Sequence, residues 1–89
     1  MFVEHTQDID RNEPGWYRIT EADKLFYRDD INEVVYVIDM DDLREYVESK
    51  KVQLAERKAK PNIVGKVSVG YLVKVQELSN IYPVVEFKA

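Results

Sequence analysis

Three carboxylates stand together where an apolar run ends. Residues 34–38, VVYVI, are followed by Asp39, Met40, Asp41 and Asp42. Acids at the carboxyl end of a strand can hold Mg²⁺ beside a phosphate, because Mg²⁺ takes few carboxylates and keeps several waters. The same acids have a second use. With Asp39 as the N-cap of a helix, its carboxylate accepts from an amide two or three residues on. Asp42 then takes the third helical position, as a shortened capping-box partner. Ile38 and Leu43 fall on the two hydrophobic-staple positions. Asp41 and Asp42 sit in the first turn, where the helix dipole favours negative charge. Moving the cap to Asp41 or Asp42 loses the staple. Capping therefore accounts for more residue choices. The expectation is no catalytic residue, no metal and no cofactor, with Asp39 and Asp41 as the alternative metal pair.

Residues 34–42 also resemble the first motif of the haloacid dehalogenase-like phosphatases, an apolar strand followed by Asp-x-Asp. The resemblance implies Asp39 as nucleophile and Asp41 as acid/base, in a Mg²⁺-dependent phosphoryl transfer. Asp42 and Leu43 stand where that family carries Gly and Thr. The chain of 89 residues is short for the family's fold and leaves no room for its later motifs.

Other candidate chemistry is thinner. His5 is the single histidine, and no spacing pairs it with Ser49, Ser68 or Ser79 as base and nucleophile. Residues 65–70, GKVSVG, lack the Lys-Ser/Thr that a phosphate loop needs after its second glycine. Residues 50–60, KKVQLAERKAK, hold five bases (Lys50, Lys51, Arg57, Lys58 and Lys60) and one acid. That stretch could attract phosphates, which makes nucleic-acid binding a second alternative. It carries no interleaved aromatics for base stacking and also suits the negative end of a helix dipole. Six of the chain's residues are Tyr, three Phe and one Trp. Tyr and Trp serve at interfaces because they are apolar with one polar handle. Trp16, Tyr17, Leu72 and Tyr82 are the expected partner-binding residues.

These side chains need elements to position them. The length suits a single globular domain over residues 1–89, with one modest core. Hydrophobic residues make up 45% and charged residues 34%, a globular balance rather than a disordered one. There is no cysteine, so disulfides and Cys-rich zinc sites are excluded. The opening MFVEHTQDID has no apolar signal core, and the longest apolar run is too short for a membrane span. A cytoplasmic protein with no membrane partner is the expectation.

Along the chain, residues 2–5 and 16–19 read as short strands around a polar loop closed by Pro14-Gly15. Residues 20–30 fit either a helix opened by Thr20 and Asp23 or, by preference, a strand after a short turn, and 34–38 read as a central strand buried on both faces. Met40, Leu43, Val47 and Leu54 form one helical stripe, with Tyr46 at its margin, so one main helix is expected over roughly 40–59. Residues 66–76 alternate with period two, and Gly70 within them suggests a bulge, a bend or a close backbone approach. Residues 77–80 read as a turn and 84–87 as a strand begun by Pro83. The fold class is small α+β, an antiparallel or mixed sheet of about four to six strands with the helix packed on one face.

Charge is uneven. Residues 1–48 hold five Lys/Arg against fourteen Asp/Glu, and residues 49–89 hold eight against three. If the acids shared a face, they would steer basic partners and repel nucleic acid. The functional expectation is a non-catalytic protein-interaction module, acting through an open sheet face or edge. Its partner would be another protein, with a basic surface or as a second copy in a homo-oligomer. By analogy, such a chain would suit an inhibitor or regulatory accessory protein of the mobile-element type.

Overall fold

The computed structural model describes residues 1–59 and 67–89. In chain order the elements are β1 (Phe2–Asp8), β2 (Glu13–Pro14), α1 (Trp16–Ile19), β3 (Lys24–Asp29), β4 (Val34–Asp39) and α2 (Met40–Lys50). There follow β5 (Glu56–Ala59), β6 (Ser68–Leu72), α3 (Val75–Ile81) and β7 (Val85–Lys88). The architecture is α+β, as expected, with its strands divided between two antiparallel sheets. The chain forms two compact units. One comprises Met1–Glu21 and Lys51–Val73, the other Ala22–Lys50 and Lys74–Ala89.

The first unit holds the sheet β2-β1-β6-β5. Two glycines set its geometry. A Cβ on Gly70 would lie 2.5 Å from the Val3 carbonyl oxygen and 2.6 Å from the Phe2 ring. The close approach expected at Gly70 is thus present. Opposite it, β1 slips by one residue: Glu4 faces Gly70, Thr6 faces Val69, and His5 is the extra residue of a bulge. Gly15 is the second glycine. Its N–H donates to His5 O at 3.0 Å, and a Cβ there would strike the Glu4 backbone. The chain then makes a single helical turn, Trp16–Ile19, where the sequence suggested a strand. Four residues are too few for periodicity to tell the two apart.

The second unit holds the sheet β3-β4-β7, with β4 central. The six-residue register of β3 on β4 runs from Lys24 opposite Asp39 to Asp29 opposite Val34. The strand expected within residues 20–30 is there. The hairpin loop is fastened by Asp29, which accepts from the Ile31 and Asn32 amides at 3.1 and 3.2 Å and from Asn32 Nδ2 at 2.7 Å. Ile38, Met40, Leu43, Tyr46, Val47 and Leu78 are this unit's most deeply buried side chains. Met40, Leu43 and Val47 of the stripe, together with Tyr46, are therefore the buried face of α2, and α2 packs against β4.

Three further expectations need correction. The main helix ends at Lys50, not near residue 59, and Glu56–Ala59 is a strand paired antiparallel to β6. The reason lies in the stripe. One turn beyond Val47 stand Lys50 and Lys51, so the next apolar residue on that face, Leu54, comes too late to pay for another turn by burial. The alternation over 66–76 also stops early: β6 closes at Leu72 and Val75–Ile81 is helical. Val75 satisfies both periods, because Val73–Val75 continues the alternation while Val75 and Leu78 begin a helical face. Finally, Val35 and Val37 are only half-buried while Tyr36 and Ile38 are buried, so β4 is central yet covered on one face. Residues 60–66, which include Lys60 of the basic stretch and the start of GKVSVG, lie outside the described residues.

Candidate functional site

The acidic cluster is built as a cap. Asp39 Oδ1 accepts from the Asp41 amide at 2.9 Å and from the Asp42 amide at 3.3 Å, quieting two of the orphan donors that open α2. Its Oδ2 accepts from Lys24 Nζ at 3.1 Å, across the β3–β4 pair. The Lys24 hydrogen bond, followed by the two amides, holds the Asp39 carboxyl below the usual carboxylate range. The staple residues Ile38 and Leu43 are both fully buried. The Asp41 carboxylate points to solvent, 3.6 Å from Arg44. Among the described residues, no group of three His, Cys, Asp or Glu side chains is arranged to hold a metal ion.

The β1 bulge creates a grouping that spacing could not reveal. His5 Nδ1 lies 2.8 Å from Thr6 Oγ1 and its Nε2 lies 3.2 Å from Glu56 Oε1. The His5 ring sits 4.7 Å from that of Tyr71. A hydroxyl, an imidazole and a carboxylate in this order have the ingredients of a relay. The Thr6 side chain is buried, however, which denies its oxygen to a substrate. Glu56 is fifty-one positions away in sequence, so only the β5–β6–β1 pairing brings it near.

The expected partner-binding residues are spread over both units. Trp16 is half-buried, and Tyr17 is 7% exposed and belongs to the core. Leu72 is 38% exposed at the end of β6, and Tyr82 is half-buried beyond α3. Tyr82 has its phenol pushed up by burial and by Glu45, with which it shares a hydrogen bond. The structure does not gather these four on one surface of either unit. The basic stretch is likewise divided: Lys50 ends α2 with its Nζ 5.9 Å from the Tyr46 ring centre, while Arg57 and Lys58 lie exposed on β5.

A coherent apolar surface lies elsewhere, on the face of the three-stranded sheet opposite Tyr36 and Ile38. In the cross-strand register Phe26, Val37 and Val85 form one row, and Arg28, Val35 and Phe87 the next. Residues directly opposite share a face. Phe26 is 70% exposed, Phe87 56% and Val85 51%. Ion pairs frame the patch: Lys24–Asp39 at one end, and Arg28 with Asp30 at 2.6 Å at the other. The signal was present in residues 34–38. An unbroken apolar run marks two apolar faces, and the single helical layer covers only one.

Charge separates with the units. The first carries seven Lys/Arg and six Asp/Glu, the second six against eleven. The acidity of the N-terminal half is thus neutralised in one unit by residues 51–73 and retained in the other. Among the described residues, no helix is long and apolar enough to cross a membrane. Comparison with protein-family models, curated proteins and solved structures finds no match to this chain.

Proposed function

We propose that this chain is a non-catalytic protein-interaction module whose docking surface is the outer face of the β3-β4-β7 sheet. The observation that carries this reading is the row of exposed apolar side chains, Phe26, Val85 and Phe87, lying on Val35 and Val37. Contiguous exposed apolar surface rimmed by charge is how interaction sites are recognised, whereas single exposed apolar residues are ordinary. The rim carries both signs, Lys24 with Asp39 and Arg28 with Asp30, so it can meet either a protein with basic residues or a second copy of itself. Such a module regulates or inhibits by occupying its partner, and needs no nucleophile or cofactor to do so.

The test is differential capture. Wild-type chain and a Phe26→Ser/Phe87→Ser variant are immobilised and exposed to a native extract of the source cells, supplemented with the chain itself. A species held by the wild type and lost from the variant is the expected result. Equal retention by both would sink the reading. A parallel titration follows thermal stability with Mg²⁺, and no change is expected. A rise in melting temperature that Asp41→Asn abolishes would instead favour the phosphoryl-transfer alternative.

A further inference from the structure

We infer that the partner of this surface is a second copy of the chain, joined edge to edge through β7 in one specific register. The inference rests on the interaction reading above and names its occupant.

Among the described residues β7 is an edge strand, hydrogen-bonded to β4 on one side only. The phase of that ladder fixes which backbone groups remain for another strand. The Ala89 N–H donates to Glu33 O at 2.7 Å, and the pairs Lys88–Val34, Phe87–Val35, Glu86–Tyr36 and Val85–Val37 follow in order. In an antiparallel ladder, hydrogen-bonded and non-hydrogen-bonded pairs alternate. Val85 and Phe87 therefore spend their backbone groups on β4, and those of Glu86 and Lys88 point away from it. A second β7 can meet them in three antiparallel registers: Glu86 opposite Glu86, Lys88 opposite Lys88, or Glu86 opposite Lys88. The first two place like charges face to face, which is destabilising. The third pairs Glu86 with Lys88 of the other copy, twice, about a two-fold axis.

That register has two further consequences. Phe87 falls opposite Phe87 in a non-hydrogen-bonded pair, the type in which side chains approach most closely. The face bearing Phe26, Val35, Val37, Val85 and Phe87 then continues from one copy into the next. The contact is self-complementary and closed, as a two-fold interface must be. It also removes an unprotected strand edge from solvent.

Sedimentation of the full chain, from low micromolar to submillimolar concentration, tests the claim. A reversible monomer–dimer equilibrium is expected. Glu86→Lys sets Lys opposite Lys88 at both ends and should weaken the dimer about tenfold. Adding Lys88→Glu to that variant should restore it. Since the protein has no cysteine, oxidation of Phe87→Cys reads the register directly. Two such residues would stand with Cα atoms about 4.5 Å apart, within disulfide reach. Two Val85→Cys residues would be offset by about 13 Å along the strands and should not join. Both sites are exposed, and circular dichroism verifies that each variant folds. A monomer at every concentration, a charge swap that fails to restore, or equal cross-linking at 85 and 87 would overturn the proposal. If the chain stays monomeric while the Phe26→Ser/Phe87→Ser variant still loses a different protein, self-pairing fails and the interaction reading stands. If nothing is captured either, both fail.

Discussion

Asp39 joins three interactions in one side chain, and its protonation state decides whether they hold. Its carboxyl is depressed below the ordinary value of 3.8, chiefly by Lys24 and then by the Asp42 and Asp41 amides. A group depressed on folding stabilises above its unfolded pKa, and that contribution is lost as pH falls through the folded value. Asp39→Ala should therefore lower the melting temperature by about 3–6 °C at pH 7. The gap between variant and wild type should close below about pH 4. Thermal melts of both proteins across the acid range check this. A gap that persists unchanged in acid would show that the carboxylate's charge is not what the cap uses. This residue was legible in the sequence because capping is local. The cap, the amides it satisfies and the staple all lie between Ile38 and Leu43. Glu56 beside His5 was not, because a sheet and a bulge had to bring them together.

At the level of elements, legibility followed the length of the pattern. Met40, Leu43 and Val47 on one stripe located α2 and its buried face. Its end was misjudged because Leu54 prolonged the stripe across two lysines. The β6–α3 boundary was missed because Val73 and Val75 fit two periods at once. The structure shows what holds the misread piece in place: Tyr46, fully buried on α2, donates its hydroxyl to Glu77 of α3 at 3.3 Å. The bond is long and its acceptor partly exposed, so Tyr46→Phe should cost only about 0.5–1 kcal/mol. Burial, then Glu77, raises the Tyr46 phenol. A phenol raised on folding stabilises fully below its unfolded pKa, near 10, and loses that contribution as pH climbs through the folded value. Stability curves at pH 7 and in the alkaline range should therefore converge for Tyr46→Phe and wild type above about pH 10. Gly70 makes the complementary point on the other sheet. Gly70→Ala would drive a methyl against the Val3 carbonyl and the Phe2 ring, where backbone has to move. A loss of about 1–3 kcal/mol is expected by urea denaturation. A neutral result would mean that β1 slides freely past β6 at the bulge.

On the scale of the whole molecule, the sequence conveyed its α+β class and its charge asymmetry but not its division. The chain passes from one unit to the other near residues 21, 50 and 73. Charge changes sign near residue 50, but no linker composition marks any of the three points, and a charge step alone does not mark a passage between units. The acids of residues 1–48 were a property of a half-sequence, and the fold redistributes them. Five fall in the first unit beside the bases of residues 51–73, and nine remain in the second. The apolar outer face is also a whole-molecule property. It exists because the β3–β4 hairpin and the distant strand β7 present the same parity to one side.

The three crossings have a practical corollary. A break between Lys50 and Lys51 would leave β1 to β4 on one fragment and β5 to β7 on the other. Each sheet takes strands from both pieces, so neither piece owns a complete one. Peptides 1–50 and 51–89 should thus be unstructured apart and regain both sheets when mixed, measured by far-ultraviolet dichroism. A 1–50 peptide that folded by itself would contradict this. Reassembly of that kind would make the turn after α2 a severable joint, usable to report the meeting of two tethered fragments.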